Sequence, residues 1–282
     1  MALISAFGLG TGFVLTQFAL QWMPPRLGAA YSIPASTALF WCMAPFSIEF
    51  TRFDTGAAML FACVGVLFPG TVAVLNFESN RLMGPNIAAS VGGLTPVFAV
   101  CFALVVIGET LRFESALGIA AITTGVTLMA RAKKRAAAPW PLWMLVLPIA
   151  AACIRGAVQP IIKLGLARWP DPIAAVVIGY TVSSSVLIMA ALIGKANVNH
   201  RSDRAGISWW VAVGLCNGLS VLCMYAALGH GSIILVAPLV STYPLITLLF
   251  SAALLHRERL VLQTAAGVIA TVAGIVLILI SK

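Results

Sequence analysis

Ten apolar stretches, most of them about 20 residues long, follow one another along this chain of 282 residues. A helix of about 20 apolar residues is long enough to cross the hydrocarbon core of a bilayer. Hydrophobic residues make up 61% of the chain and charged residues only 9%, which excludes a soluble fold and leaves no room for an extramembrane domain. The sequence therefore predicts an all-α membrane protein with ten transmembrane helices. They are Leu3 to Gln21, Leu27 to Phe46, Thr55 to Phe77, Pro85 to Ile107, Ser115 to Met129, Leu142 to Leu166, Ile173 to Ile193, Trp209 to Leu228, Ile233 to Leu255 and Val261 to Ile280.

A formal net charge of +9 would suggest nucleic-acid binding in a soluble protein. Here most of the basic residues lie in the gaps between apolar stretches, where they determine the orientation of membrane helices. We therefore expect the lipid bilayer as a partner and no nucleic acid. The six cysteines lie inside apolar stretches, without the spacing of a disulfide framework or a zinc site. We expect neither a metal nor a cofactor.

An internal repeat appears when the sequence is shifted against itself by about 146 to 149 residues. Thr95-Pro96 then aligns with Tyr243-Pro244, and Glu109 aligns with Glu258 after one inserted residue. The repeat divides the chain into five-helix halves, residues 1–135 and 136–282. Because five is odd, the second half must enter the membrane from the other side, which gives the inverted repeat typical of secondary transporters. Other aligned pairs are Gly10 with Gly156, Gln17 with Lys163, Leu20 with Leu166 and Pro24 with Pro170.

Basic residues are distributed unequally between the two sets of loops. The gaps after the odd-numbered helices carry eleven Lys and Arg, including the run from Arg131 to Arg135, and the other face carries four. The positive-inside rule makes the first face cytoplasmic. Both termini are then expected outside, and we expect a multi-pass protein of the bacterial inner membrane.

Each half closes with a proline-bearing helix, a turn with a glutamate, and a helix containing Gly-x6-Gly. This pattern resembles the EamA-type ten-helix members of the drug/metabolite transporter superfamily. The resemblance implies a substrate cavity walled by helices one to four and six to nine, alternating access, and export. Members of that family are often drawn with cytoplasmic termini, whereas we keep the charge-based orientation. Leu9-Gly10 replaces the Trp-Gly pair often found in the family's first helix. The matching residues are Thr95-Pro96, Gly108-Glu109, Gly118 and Gly125, then Tyr243-Pro244, Arg257-Glu258, Gly267 and Gly274.

Arg155 lies about midway along the sixth predicted helix, and Gln159 and Lys163 follow at i+4 and i+8 on the same face. A charge inside the membrane is costly and indicates a functional site. A guanidinium group forms a bidentate fork with a carboxylate or phosphate. The alternative interpretation is structural, with Arg155 bound to carbonyls of a kinked helix and Lys163 extended to the membrane interface.

Further polar and aromatic residues complete the predicted site. We expect substrate contacts from Gln17, Tyr31, Trp41, Ser90, Tyr180, Asn217 and Tyr243, although ordinary helix packing also explains most of them. Gly92, Gly93, Pro96 and Pro244 are predicted to allow the bending that gating requires.

The leading hypothesis is a secondary transporter that exports a small polar metabolite, anionic or zwitterionic, such as an amino acid. No carboxylate is evident in mid-helix, which disfavours a proton-driven carrier of lipophilic cations. A cationic drug carrier, a lipid flippase and a channel stay open as alternatives. The sequence contains no recognisable nucleophile or metal motif of an intramembrane enzyme, so we expect a protein that is not an enzyme. It leaves open whether the protein is a monomer or a homodimer.

Overall fold

The computed structural model describes residues 1–134, 141–193, 204–255 and 262–280, and the regular structure of these residues is helical throughout. Eight segments within them are long and apolar enough to cross a membrane. Together with α7 and α13 they correspond to the ten predicted spans, so the predicted fold class is confirmed. The helices are α1 (Ala2–Ala19), α2 (Pro25–Ser47), α3 (Thr55–Leu67), α4 (Gly70–Met83), α5 (Pro85–Gly92), α6 (Thr95–Val106), α7 (Phe113–Lys134), α8 (Val146–Arg168), α9 (Pro172–Ile193), α10 (Arg204–His230), α11 (Ile233–Val240), α12 (Tyr243–Leu255) and α13 (Leu262–Ile280).

Three of the predicted spans consist of two helices each. Span three breaks at Phe68-Pro69 between α3 and α4, span four after Gly92 between α5 and α6, and span nine after Val240 between α11 and α12. The sequence predicted one helix for each of these spans, kinked at its internal proline. Proline lacks an N–H group and disfavours a helical residue before it, so a proline in the first turn starts a new helix more readily than it continues one. Pro96 and Pro244 each occupy the second position of the helix that follows the break.

The ends of successive spans define two faces of the bundle. Met1, the residues after α2 and the loop between α8 and α9 lie together, and the Glu49 N–H donates to Asp171 Oδ2 at 3.3 Å. We call this side the N-terminal face and the other the opposite face. The outside of the bundle carries exposed apolar side chains such as Phe46 and Val105, as expected of a surface in contact with lipid.

The two repeats pack into each other rather than side by side. α1 of the first repeat contacts α10 and α12 of the second, and α8 of the second contacts α3, α4 and α6 of the first. A Cβ atom at Gly10 would lie 2.6 Å from Ile246 Cβ of α12, and one at Gly156 would lie 2.6 Å from Phe98 Cβ of α6. These repeat-equivalent glycines therefore let α1 and α8 approach the other repeat's broken span.

Spans five and ten form a separate pair at the edge of the bundle. α7 packs along α13, and added Cβ atoms at Gly125 and Gly274 would lie 2.5 and 2.6 Å from the carbonyl oxygens of Gly267 and Gly118. The Gly-x6-Gly pattern thus marks the surface that brings the two helices into backbone contact. This pair leaves spans one to four and six to nine to form the centre.

Candidate substrate cavity

A cavity of about 40 Å³ lies in the centre of the bundle, between the two repeats. Its volume accommodates a few water molecules. One face of α4 lines it with residues 69, 72, 73, 76, 77 and 80, whose spacing is that of a helical stripe. α1 and α10 contribute similar stripes, and α2, α8 and α9 add single residues or pairs. The two repeats therefore share the cavity, and its volume is too small for a metabolite.

Among the described residues that line this cavity, Arg155 of α8 carries the only charge. It is 5% exposed, and its Cζ lies 5.8 Å from the centre of the Tyr243 ring, within cation–π range. Within the described ranges, no carboxylate lies at ion-pair distance from the guanidinium. An Arg buried in a membrane protein is usually paired with an acid or with backbone carbonyls. Arg155 therefore offers positive charge to the cavity without a protein counter-ion.

Neutral polar groups surround the arginine. Asn80 lines the cavity, and its Nδ2 donates to the Phe13 carbonyl oxygen at 2.7 Å. This bond fixes the orientation of the amide, because a carbonyl oxygen can only accept. Asn80 Oδ1 is buried and has no hydrogen-bond partner among the residues described. Asn76, Asn217, Thr16, Ser32 and the hydrogen-bonded pair Ser5 and Ser220 complete the polar lining.

Three of the predicted substrate-binding residues line the cavity, namely Arg155, Tyr180 and Asn217. Tyr180 is 2% exposed and meets Phe40 edge-on, at 4.9 Å between ring centres. Asn217 fits against α1 because the opposing residue is Gly12, where a Cβ atom would overlap the Asn217 side-chain oxygen.

The other predicted residues lie outside the lining. Gln159 is fully buried one turn beyond Arg155, and its Oε1 has no partner in the described part of the chain. Trp41 is 55% exposed on the outside of the bundle and donates from Nε1 to Thr181 Oγ1 at 3.0 Å. Gln17 and Tyr31 are half-buried, and Ser90 is buried within α5.

Tyr243 and the predicted gating residues form a layer directly behind the cavity. The Tyr243 ring stacks on the cavity residue Phe13, at 5.4 Å between ring centres. Gly92 lies under the Tyr243 hydroxyl, and a Cβ atom there would overlap that oxygen. Gly93 follows at the break, and Pro96 and Pro244 open α6 and α12. The resemblance implied that spans four and nine wall the cavity. In this structure none of their described residues belongs to the lining, and Tyr243 of span nine contacts the lining residue Phe13 from the side away from the cavity.

Lys163 is engaged with a carboxylate at the N-terminal face. Its Nζ lies 2.6 Å from Glu109 Oε1 and donates to the Gly231 carbonyl oxygen at 3.0 Å. Glu109 Oε1 and Oε2 also accept from the N–H groups of Ile233 and Ile234, at 3.0 and 3.2 Å. Burial raises the pKa of Glu109, which lies in the loop after α6, but the hydrogen bonds from Lys163 and from the two N–H groups outweigh it and lower the pKa below the ordinary value. The carboxylate is therefore charged and fully engaged at neutral pH.

Sequence reasoning did not select Asn76, Asn80 and Glu109 as site residues. The i, i+4 spacing of Asn76 and Asn80 on a membrane helix was a usable signal for the first two, since both amides fall on one face. Glu109 gave no such signal, because its partner Lys163 is 54 residues away in the sequence. Its predicted repeat counterpart, Glu258, lies outside the described residues.

Comparison with known proteins decides the family. The EamA-like transporter family matches residues 1–131 and 142–280, which is one match for each half of the chain. The chain belongs to the EamA-like transporter family. The resemblance inferred from the sequence is therefore confirmed, and this EamA-like protein is a multi-pass membrane transporter. No match was found among curated proteins.

The fold of this EamA-like chain also resembles a solved structure. A chain described as "Crystal structure of protein" superposes with a TM-score of 0.70 at 17% sequence identity. The match covers 98% of the present chain and 94% of the other. At this identity the likeness establishes the architecture, and the chemistry must be argued from the cavity itself.

Proposed function

We propose that this EamA-like protein is a secondary transporter that exports a small anionic or zwitterionic metabolite, such as an amino acid, across the bacterial inner membrane. The observation that carries the proposal is Arg155, a buried cation in a cavity shared by the two repeats, with no counter-ion among the described residues. A substrate carboxylate supplies the missing counter-ion.

The remaining lining favours a zwitterion over a plain anion. Asn80 presents an acceptor oxygen whose amide is held by the Phe13 carbonyl, so it can receive a hydrogen bond from a substrate ammonium group. No carboxylate is found among the described lining residues, so a cationic drug would have no charged partner there and would face Arg155 directly. The charge of the cavity therefore supports the metabolite over the cationic drug.

Alternating access explains how a substrate could bind in a cavity that is now too small for it. A volume of about 40 Å³ is too small for an amino acid, so the cavity must widen before such a substrate can bind at Arg155. In transporters with inverted repeats, one repeat rocks against the other around a central site. The breaks in spans four and nine occupy equivalent positions in the two repeats and provide the flexible points for that motion.

Purified protein reconstituted into proteoliposomes tests the proposal by counterflow exchange. Vesicles loaded with an unlabelled candidate should accumulate the labelled form of the same compound, which a channel does not achieve. The panel should contain neutral amino acids, dicarboxylates and lipophilic cations. Exchange of zwitterions that is abolished by Arg155→Gln supports the proposal, whereas exchange of lipophilic cations that survives this substitution contradicts it.

A further inference from the structure

The contacts of Glu109 join three parts of the chain at the N-terminal face. The carboxylate belongs to the loop after α6 in the first repeat. Its partners are Lys163 near the end of α8 and the N–H groups of Ile233 and Ile234 at the start of α11, all in the second repeat. Lys163 also reaches the Gly231 carbonyl oxygen. We call this cluster the latch, defined by Glu109, Lys163, Gly231, Ile233 and Ile234.

The latch is more shielded from solvent than the ion pairs Glu49–Arg52 and Glu78–Arg81. The Glu109 and Lys163 side chains are 12% and 26% exposed, whereas Arg81 of the equally short Glu78–Arg81 pair is 51% exposed. Glu78 and Arg81 also lie one turn apart on the same helix, α4, so their ion pair does not join two elements. Charge-assisted hydrogen bonds in a shielded site are stronger than exposed ones. The latch therefore resists separation of the two repeats at this face.

The internal repeat shows that the latch is not duplicated by its equivalent residues. The equivalent of Lys163 is Gln17, a neutral half-buried side chain that cannot form an ion pair. At the shift of 148 that aligns Thr95 with Tyr243, the equivalent of Ile233 is Pro85, which has no N–H group to donate. The equivalent positions of the first repeat thus lack both the ammonium group and one of the two amide donors.

We propose that the latch is an asymmetric gate, which holds the N-terminal face shut and must break each time the cavity opens to that side. The inference rests on the proposed function in one respect, that the repeats move against each other during transport. Lys163 then belongs to the gate of the pathway and not to the substrate site.

α8 provides a physical link between this gate and the cavity. Arg155 in the cavity lining, the fully buried Gln159 and Lys163 in the latch follow one another at four-residue intervals on a single helix. Displacement of α8 when Arg155 engages a substrate therefore moves Lys163 as well. The helix α11 packs against α6, α1 and α10, so a displacement of α8 alone strains the latch.

A distance measurement between two spin labels tests the gate without any substrate. The labels are placed at Leu111→Cys and Ala167→Cys, two exposed positions on either side of the latch, in a background without the six native cysteines. The protein is held in lipid nanodiscs. The variants are Lys163→Gln and Glu109→Gln, with Lys163→Arg as the charge-conserving form and Arg81→Gln as the matched control at an exposed ion pair of the same length.

Lys163→Gln and Glu109→Gln should each shift the protein towards a state with a longer distance between the labels. The ratio of the population at the longer distance to the population at the shorter distance should rise about tenfold. That change corresponds to the loss of about 1.4 kcal/mol, the size of one charge-assisted hydrogen bond. Lys163→Arg and Arg81→Gln should retain the parent distribution. Parent-like distances in both glutamine variants would overturn the gate, and so would a shift of equal size in Arg81→Gln.

Thermal unfolding and substrate binding on the same samples separate the possible failures. A variant that unfolds at the measuring temperature is replaced by Glu109→Asp. This substitution shortens the side chain and keeps its charge, so it should give an intermediate shift of the distance distribution. Zwitterion binding that fails in every variant, including the parent, contradicts the proposed function but leaves the distance result standing. Normal binding with unchanged distances contradicts the gate alone.

Discussion

Arg155 gives the central cavity its positive charge, and the internal repeat shows that this charge has no counterpart in the first repeat. Its equivalent in the first repeat is Leu9, which also lines the cavity. One of two symmetry-related positions is therefore apolar and the other cationic. A single guanidinium placed off the pseudo-symmetry axis binds a substrate in one orientation, with its anionic group towards α8.

Arg155→Gln should weaken substrate binding about 10- to 150-fold, because a charge-assisted hydrogen bond of roughly 1.5–3 kcal/mol is lost. The melting temperature should change little, since no described acidic residue pairs with Arg155. Arg155→Lys should recover only part of the affinity, because an ammonium group cannot reproduce the planar fork. Isothermal titration and thermal unfolding of both variants check this. A lower melting temperature with unaltered affinity would remove Arg155 from the site.

Glu109 should stabilise the protein in a way that depends on pH. Its pKa in the folded protein lies below the ordinary value of 4.5, so it binds protons more weakly when folded than when unfolded. The stabilisation is therefore complete above about pH 4.5 and is lost as the pH falls through the lowered pKa of the folded state. The difference in melting temperature between the parent and Glu109→Gln should be constant near neutral pH and shrink below pH 4.5. A difference that grows on acidification would contradict the assignment.

At the scale of helices, the breaks in spans three, four and nine are the features that shape the centre. The break after Gly92 puts this glycine against the Tyr243 hydroxyl, and Tyr243 in turn stacks on Phe13 in the cavity wall. A tyrosine that is 1% exposed and stacked on a neighbour has little room to move away. The fit between spans four and nine therefore depends on the absence of a side chain at position 92.

Gly92→Ala should destabilise the protein and slow exchange, because the new methyl group overlaps the Tyr243 hydroxyl. Tyr243→Phe removes that oxygen and leaves the nearest ring carbon 3.6 Å from the new Cβ atom, an ordinary contact. In the double variant the stability should return towards that of Tyr243→Phe alone. A double-mutant cycle by thermal unfolding measures this coupling. Additive effects of the two substitutions would show that Gly92 acts elsewhere.

Helix positions and the repeat were predictable from the sequence, whereas the direction in which each side chain points was not. Apolar residues cover every side of a membrane helix, so the pattern that reveals the buried face of a soluble helix is weak here. Trp41 and Arg155 both looked like site residues, yet one lies on the outside of the bundle and the other in the cavity. The proline-bearing breaks were foreseeable as bends because proline acts locally. The partner of Lys163 was not, since it depends on packing between repeats.

At the scale of the molecule, the distribution of basic residues between the loops predicts the orientation in the membrane. If the eleven-to-four charge bias governs insertion, a cysteine at Ala132 should resist an impermeant thiol reagent in intact cells, and one at Ala167 should react. Both are introduced singly into the background without native cysteines. Labelling at position 132 with protection at 167 would reverse the orientation. The latch would then face the cytoplasm instead of the exterior.

The interlocking of the repeats has a consequence for biosynthesis. In the first repeat, α1 packs Gly10 against α12 and α7 packs Gly125 against α13, so both helices have partners that are synthesised last. During synthesis, the surfaces of α1 and α7 at Gly10 and Gly125 are therefore without their helical partners until α12 and α13 have been made. Completion of the bundle is therefore a late event, and we expect a chain that ends before α12 to leave the glycine surfaces of α1 and α7 without their partners.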